Sequence, residues 1–281
     1  MGRSLGVTYP IETVAGAEAM QLTSRTPRCP QLRGVVRSLW HYRAPGARGR
    51  QHMLPSGVMQ LIVNLEVDAL RYADADDEPF ALQSGTLIQG MQSRAVVLDR
   101  RDQRDVLGVV FEPGAGRVVL GTPLDAVTNT HVALHEVATD GSSLRDSLLG
   151  AATAEARFDR VERWLAARVR GEVDAMVRAA LGLMRRGEQR VRVLASSLGT
   201  SEQALRRRFR AEVGLPPKQM SRVLRLQRAL DGLRGAGSLA EVALSSGYHD
   251  QAHLTHEMRE LAGVSPSDYR RRQPVYRNHL D

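Results

Sequence analysis

Apolar residues recur with two different periods along the chain, and the change of period divides it. From residue 32 to residue 111, short apolar runs alternate with turn residues, a pattern typical of β-strands. The predicted strands cover 35–42, 59–65, 82–89, 95–98 and 106–111. From about residue 144 the apolar positions recur every three or four residues, which indicates helices. The sequence therefore predicts a β-rich first half and a helical second half.

The helical half contains the same pattern twice. Ala195 lies four residues before Gly199, and Ala243 lies four residues before Gly247. A small alanine lets a second helix cross closely, and a glycine can adopt the positive φ that ends the first helix. Both copies are therefore predicted to form two helices that cross at a tight turn.

A polar residue that can cap the next helix follows each glycine, Ser201 in one copy and Asp250 in the other. From these caps the copies align at an offset of 49 residues, whereas before them the offset is 48. The aligned pairs are Leu205 with Leu254, Phe209 with Met258, Gly214 with Gly263 and Pro217 with Pro266. The sequence therefore holds an internal repeat of a helix-turn-helix pattern, with one extra residue in the second turn.

One helix is predicted between the two copies, over residues 216–234. Its apolar stripe consists of Met220, Val223, Leu224, Leu226, Leu230 and Leu233. At about 1.5 Å per residue it spans about 28 Å, close to the roughly 34 Å that separate successive major-groove openings on one face of B-DNA. Two helices on such a spacer could enter adjacent turns of a duplex.

At these residues the chain resembles the DNA-binding domain of the AraC/XylS transcription regulators. The motifs that carry the resemblance are residues 205–214 with Pro217, and residues 247–270. It covers 191–272, about the last third of the chain, and implies two helix-turn-helix motifs on double-stranded DNA. Carried over residue by residue, it also implies base contacts at Gln203, Arg206 and Arg207.

Helical geometry assigns a packed side and an outward side to the second helix of each copy. Leu205, Phe209 and Val213 recur every four residues and form the packed side of the first, as Leu254, Met258 and Ala262 do in the second. The outward glutamines suit adenine and the arginines suit guanine. The predicted base contacts are Gln203, Arg206, Arg207, Gln251, Ala252, His253 and His256. The predicted backbone contacts are Arg190, Arg192, Ser201, Arg208, Arg210, Arg222 and Arg270.

The β-rich half carries a second, vaguer resemblance. The turn at 54–57, followed by the strand at 59–65, looks like the cupin-like sensor domain that precedes some AraC-type DNA-binding domains. In that family the barrel binds a small effector or serves in dimerisation. Candidate pocket residues are Trp40, Tyr42, Gln60, Gln89 and Phe111, although each of them also fits a plain core position.

The runner-up function is a cupin-type metalloenzyme that carries a DNA-binding tail. Such a site needs closely spaced histidines and a carboxylate on strands, but the first half has no His-x-His. His131 and His135 are four residues apart and are expected on one helix surface. His249, His253 and His256 are read as groove-facing polar residues. We therefore predict no catalytic residues, no metal and no cofactor.

Charge distinguishes the two halves more sharply than composition does. Residues 185–281 hold 18 Lys and Arg against 10 Asp and Glu, whereas residues 1–184 hold 21 of each, so the net charge of +8 lies entirely in the last third. Abundant arginine alone does not explain this asymmetry. A polyanion attracts such a region through counterion release, so the distribution predicts binding to double-stranded DNA.

The remaining composition is that of an ordinary cytoplasmic protein. The single cysteine, Cys29, excludes an intramolecular disulfide, and the sequence has neither a secretion signal nor a membrane-spanning run. We expect no membrane association. Candidate partners besides DNA are a small-molecule effector, a second copy of the chain and, for an activator, RNA polymerase.

The predicted fold class is α+β, with a cupin-like β-barrel followed by an all-α domain. We predict an arm at 1–30, the cupin-like domain at 31–133, a helical connector at 134–186 and the double helix-turn-helix domain at 187–281. A fragment from about Arg185 onward is expected to bind DNA without the first half. The predicted function is sequence-specific regulation of transcription; the effector, the operator and the sign of regulation are not encoded in these residues.

Overall fold

The computed structural model describes residues 20–188 and 190–280. Within them a sheet-rich N-terminal part is followed by a helical C-terminal part, so the predicted α+β class is confirmed. Most of the predicted arm lies outside the described residues. Its last part does not: Gln21–Arg25 is a strand, paired in antiparallel register with Val36–Arg43.

Ten strands of the described chain lie before residue 134, and one lies near its end. They are β1 (Gln21–Arg25), β2 (Val36–Arg43), β3 (Arg50–Met53), β4 (Gln60–Asn64), β5 (Ala69–Ala73), β6 (Ala81–Ser84), β7 (Thr86–Gln89), β8 (Val96–Asp99), β9 (Asp105–Phe111), β10 (His131–Ala133) and β11 (His279–Leu280). The apolar runs predicted β2, β4, β8 and β9. Strands β3 and β5 were missed because their alternation is short and carries polar residues.

The strands form two antiparallel sheets rather than the closed barrel that the sequence predicted. The first sheet has the order β1-β2-β9-β4-β7-β10, and the second has the order β11-β3-β8-β5-β6. The run 82–89, predicted as one strand, divides at Gly85 into β6 of the second sheet and β7 of the first. A side chain at Gly85 would collide with the backbone of Asp68 and Ala69, so this crossing between sheets requires glycine.

The first sheet is covered on both faces, which explains why every residue of β4 is buried. On one face Leu61 and Val63 pack with Phe158 and Val161 in a core shared with helices. On the other face Ile62 packs between the two sheets with residues such as Leu70 and Leu98. Successive residues of a strand point to opposite faces, so the two cores alternate along each strand.

The helices are α1 (Arg117–Leu120), α2 (Leu134–Val137), α3 (Gly141–Leu149), α4 (Ala154–Ala166), α5 (Ala175–Arg185), α6 (Val191–Ser197), α7 (Glu202–Val213), α8 (Pro217–Leu233), α9 (Leu239–Ser246), α10 (Gln251–Ala262) and α11 (Pro266–Arg272). The predicted spacer helix matches α8. The helix expected to hold both His131 and His135 was wrong, because His131 lies in β10 and His135 in α2.

The predicted connector at 134–186 is divided between two cores. Helices α3 and α4 pack on the first sheet, for example through Leu148 and Leu165. Helix α5 packs instead with the helices that follow, since Val177 and Leu181 share a core with Phe209. The packing of the helical part therefore begins about ten residues earlier than the charge pattern suggested.

Two helical pairs, α6 with α7 and α9 with α10, take the form that the repeat predicted. Gly199 and Gly247, which follow the first helix of each pair, have φ of +62° and +89°. The Ser201 hydroxyl accepts a hydrogen bond from the Ala204 amide at 3.1 Å, and Asp250 accepts one from the His253 amide at 2.7 Å. Local chemistry thus ends and restarts the helices at the expected residues.

The chain after α11, residues 273–280 (the C-terminal segment), returns to the second sheet. Its last residues form β11, which pairs with β3, and the Asn278 carbonyl accepts a hydrogen bond from the Leu54 amide at 2.8 Å. The buried side chain of Gln227 on α8 donates to the Pro55 carbonyl and to the Asn278 Oδ1, at 2.7 and 2.8 Å. The sheets and the helical part are joined through this amide.

Replacing Gln227 with methionine should lower the free energy of unfolding by about 1–3 kcal/mol, because the buried Pro55 carbonyl and the Asn278 side chain both lose their donor. Gln219→Met, at an exposed position of the same helix, should change it by less than about 0.5 kcal/mol. Urea denaturation of both variants measures the difference. Equal effects would show that the amide does not join the two parts.

Candidate nucleic-acid interface and cavity

Helix α7 separates a packed side from a charged side. Leu205, Phe209 and Val213 are fully buried. Gln203, Arg206, Arg207 and Arg210 are all exposed. Among the described residues, Arg207 and Arg210 have no ion-pair or hydrogen-bond partner for their guanidinium groups, and neither has Arg192 on α6. These three positive groups are therefore available to an external anion.

Three other arginines that the sequence assigned to DNA have carboxylate partners within the chain. Arg206 pairs with Glu202 one helical turn away at 3.0 Å, and Arg208 pairs with Asp174 at 3.1 Å. Arg190 pairs with Glu188, which raises the pKa of its guanidinium above the ordinary value. The Arg206–Glu202 pair is exposed on both sides and contributes little, so a phosphate could replace that carboxylate at small cost.

Helix α10 has the same two-sided construction. Leu254, Met258 and Ala262 are buried, while Gln251, Ala252 and His256 are exposed. His253 is half-buried, and its ring packs edge-on against Tyr248 at a centroid distance of 5.2 Å. The outward side of α10 thus carries one glutamine, one small residue and two histidines, with less positive charge than α7.

Both of these helices are anchored at their C-terminal ends to the sheet-rich part. At the end of α7, a side chain at Gly214 would collide with the Thr128 hydroxyl and crowd the Leu124 carbonyl, so α7 approaches the sheet-rich part closely there. Near the end of α10, the Leu261 carbonyl accepts a hydrogen bond from the Ala95 amide at 2.7 Å. The first turns of α7 and α10, which carry the predicted base contacts, therefore lie at the ends away from these anchors.

A buried carboxylate between α8 and α10 was missed by the sequence reasoning. Glu257 is 5% exposed, and it accepts hydrogen bonds from Arg222 at 3.0 Å and from Arg225 at 2.6 Å. Arg222 also pairs with Glu260, and that contact lowers the pKa of the Glu260 carboxyl. The available signal was an acidic residue beside Met258 on the packed side of a helix in a basic region.

Two residues predicted to contact the DNA backbone have structural roles here. Arg222 belongs to the network around Glu257. Arg270 donates to the carbonyls of Leu233 and Gly237, at 3.3 and 2.8 Å, and so ties α11 to the end of α8. The sequence identified both residues as basic and outward, but it could not show that each of them already has partners within the fold.

A cavity of about 460 Å³ opens between the two sheets. Four of the five candidate pocket residues line it: Trp40, Tyr42, Gln60 and Gln89. Phe111 does not, because it packs on the opposite face of the first sheet among the helix-covered residues. Successive side chains of a strand point to opposite faces of the sheet. On β9, Val106 faces the cavity, and Phe111, an odd number of residues further on, therefore faces away from it.

Other residues that line the cavity were not predicted from the sequence. Tyr72 on β5 lines it and stacks on His131 at a centroid distance of 3.8 Å, where burial lowers the pKa of His131 to about 4. Gly108 faces the Trp40 ring so closely that any side chain would collide with it. The C-terminal segment closes another side, through Pro274, Tyr276 and neighbouring residues. These contacts join residues that are far apart in the sequence.

No group of three or more His, Cys, Asp or Glu side chains in the described residues is placed to hold a metal ion. No helix within residues 20–188 and 190–280 combines the length and apolar character that crossing a membrane requires.

Comparison with known families divides the chain where the structure does. A family model described as a helix-turn-helix domain matches residues 194–272, from α6 to the end of α11. A second model, described as a domain of unknown function (DUF6597), matches residues 24–133, which contain the strands β2 to β10.

Relatives of known name match the helical part. A protein of Streptomyces antibioticus, named as an AraC-like transcription regulator, is 33% identical over 117 residues. A protein of Streptomyces lividans with the same name is 34% identical over 115 residues. The two matches cover 40% of this chain, and they cover 37% and 36% of the respective relatives. This chain thus spans just over one third of each relative's length.

Solved structures that match part of the chain include an AraC-type DNA-binding domain protein from Chromobacterium violaceum, with 24% identity and a TM-score of 0.33 over 35% of this chain and 91% of that one. They also include ToxT of Vibrio cholerae with a bound unsaturated fatty acid, with 10% identity and a TM-score of 0.47 over 80% of this chain and 91% of that one.

Two capped helices on glycine-ended turns, matched by the family model, define a helix-turn-helix domain in the C-terminal third. This part of the chain is similar to the AraC-like regulators of the two Streptomyces species.

The network around Glu257 can be tested by removing its charge. Glu257→Gln should lower the free energy of unfolding by about 1–3 kcal/mol, because the largely buried Arg225 loses this anionic acceptor and Arg222 retains only its exposed pair with Glu260. Glu260→Gln is the matched control; that side chain is 52% exposed, so the loss should stay below about 1 kcal/mol. Chemical denaturation measures both, and an equal loss would contradict the structural role of Glu257.

Proposed function

We propose that the chain is a sequence-specific DNA-binding transcription regulator of the AraC/XylS type. In this proposal α6 with α7 and α9 with α10 form two helix-turn-helix units, and α8 holds them so that α7 and α10 enter adjacent major grooves of one duplex. The observation that carries the proposal is the outward side of α7, where exposed guanidinium groups have no partner among the described residues.

The charge distribution supports the same function. The net charge of +8 lies in the last third, and the acidic groups there do not neutralise Arg192, Arg207 or Arg210. Such groups would attract DNA phosphates and release counterions on binding. The names of the Streptomyces relatives also support a regulator rather than an enzyme.

The proposed base contacts are the outward residues of α7 and α10, and their backbone neighbours complete the surface. Base contacts are proposed at Gln203, Arg206, Arg207, Gln251, Ala252, His253 and His256, and phosphate contacts at Arg190, Arg192, Ser201, Arg208 and Arg210. Because α10 is the less basic helix, it should contribute less to phosphate binding than α7. RNA polymerase would be a further partner if the protein activates transcription.

The proposed domain division follows the packing. The sheet-rich part up to residue 133 is proposed to be a cupin-like sensor or dimerisation domain, with α3 and α4 as its helical cover. The DNA-binding domain is proposed to begin with α5 rather than at residue 187, since α5 shares a core with α7. The proposed site of action is the cytoplasm, where the DNA lies.

Control by an effector has a physical route in this arrangement. The C-terminal segment lines the cavity. Its Asn278 side chain accepts a hydrogen bond from Gln227 on α8. A small molecule in the cavity would contact this segment and shift its position relative to α8. We propose that occupancy of the cavity thereby changes how α7 and α10 are presented to DNA.

The orientation of α7 is tested by replacing Arg207 with alanine. Affinity for a selected DNA site should fall by about 1–3 kcal/mol, because a bidentate contact to guanine is lost, while far-UV circular dichroism stays unchanged. Arg33→Ala, an exposed position in the sheet-rich part, is the control and should bind normally. Selection from a random DNA pool supplies the site. Wild-type affinity of the Arg207 variant would contradict the orientation.

Two fragments test where the DNA-binding domain begins. A fragment of residues 172–281 contains α5 and should unfold cooperatively and bind DNA. A fragment of residues 187–281 lacks Val177, Leu181 and Met184, which leaves Phe209 partly uncovered, so it should be less stable and bind more weakly. Mobility-shift titration and thermal unfolding compare them. Equal behaviour of both fragments would place the boundary after α5.

A further inference from the structure

The cavity between the sheets has a composition that restricts what it can bind. Its apolar surface comes from Met53, Ile62 and Val106, and its aromatic rings come from Trp40, Tyr42 and Tyr72. Flat rings are recognised by surfaces of this kind, through apolar burial and ring stacking. At about 460 Å³ the cavity lies in the usual range for small-molecule sites.

The polar groups of the cavity are mainly amides. Five glutamines line it: Gln51, Gln60, Gln89, Gln103 and Gln273. Gln60 and Gln89 are directly opposite each other in the register of β4 and β7, and both are only 7% exposed. An amide both donates and accepts, so this pair offers a neutral ligand both kinds of hydrogen bond.

The two amides have hydrogen-bonding capacity left over. Gln60 Oε1 accepts from Trp40 Nε1 at 3.4 Å, whereas its Nε2 donates to no atom of the described chain. The Gln89 side chain has no hydrogen bond within residues 20–188 and 190–280. Both amides face the open cavity, so a ligand could bond to their free donors and acceptors in place of water.

The lining disfavours a cation. No aspartate or glutamate of the described chain lines the cavity, so a cation would lose its hydration without a counter-charge. Arg100, Arg272 and His279 do line it, and each already has an interaction partner. An anion would have to compete with those partners, whereas a neutral ligand can bond to the amides without disturbing them.

We propose that this cavity binds an uncharged aromatic compound with a hydrogen-bonding edge, such as an aromatic amide, with the edge at Gln60 and Gln89. The ring would lie against the aromatic and apolar walls, and the C-terminal segment would close over it. This inference rests on the effector role proposed above and gives that effector a chemical class.

Three probes with one ring system test the class on the full-length chain. Isothermal titration with 2-naphthamide, 2-naphthoate and 2-naphthylmethylammonium compares a neutral, an anionic and a cationic edge. We expect the amide to bind at least ten-fold more tightly than either ion. Equal or tighter binding of the carboxylate or the ammonium, or no binding of the amide at 1 mM, would overturn the proposal.

The double variant Gln60→Met, Gln89→Met tests the amide pair. It should weaken 2-naphthamide binding at least ten-fold, whereas the control Gln83→Met, on β6 outside the cavity lining, should bind as the wild type does. Unchanged affinity in a double variant that retains its thermal transition would also overturn the proposal. If the double variant does not fold, the ranking of the three probes on the wild-type chain decides.

A mobility shift with the same preparations keeps the two proposals separate. If the chain does not bind DNA but still binds the amide most tightly, the proposed regulator function is refuted and the proposed ligand class is not. Normal DNA binding without preference for the amide would refute the ligand class alone.

Discussion

One buried amide joins three separate segments where the two halves of the chain meet. Gln227 on α8 donates to a carbonyl of the loop before β4 and to Asn278 of the C-terminal segment, so helix, loop and segment meet at a single side chain. A buried amide requires its partners in position, because an unsatisfied donor costs free energy that packing does not recover. Together with the pairing of β11 and β3, this contact holds the C-terminal segment, and with it one wall of the cavity.

This contact links the cavity mechanically to the proposed DNA-binding surface. Helices α7 and α10 touch the sheet-rich part near their C-terminal ends, at Gly214 and Leu261, and their first turns remain exposed. Anchoring one end of a helix while leaving the other free suits a surface that must enter a groove. A shift of the C-terminal segment would act on the same rigid α8 that spaces the two helices.

Much of the helical part was predictable because its signals are local. Gly199, Gly247, Ser201 and Asp250 specify turns and caps through their own backbone and side-chain chemistry. The packed sides of α7 and α10 followed from helical periodicity alone. The β-rich part was harder: the split at Gly85, the face of Phe111 and the strand β11 depend on pairing between distant segments, which a short apolar pattern does not encode.

The sequence by itself determined the repeat and the location of the positive charge, because periodicity and composition are properties of neighbouring residues. Only the tertiary structure decided which arginines are already paired, as for Arg222 and Arg270, and which are not, as for Arg207. It also decided that the C-terminal segment forms one wall of the cavity. These are contacts between residues far apart along the chain, and no local pattern records whether a charged or polar group will meet its partner.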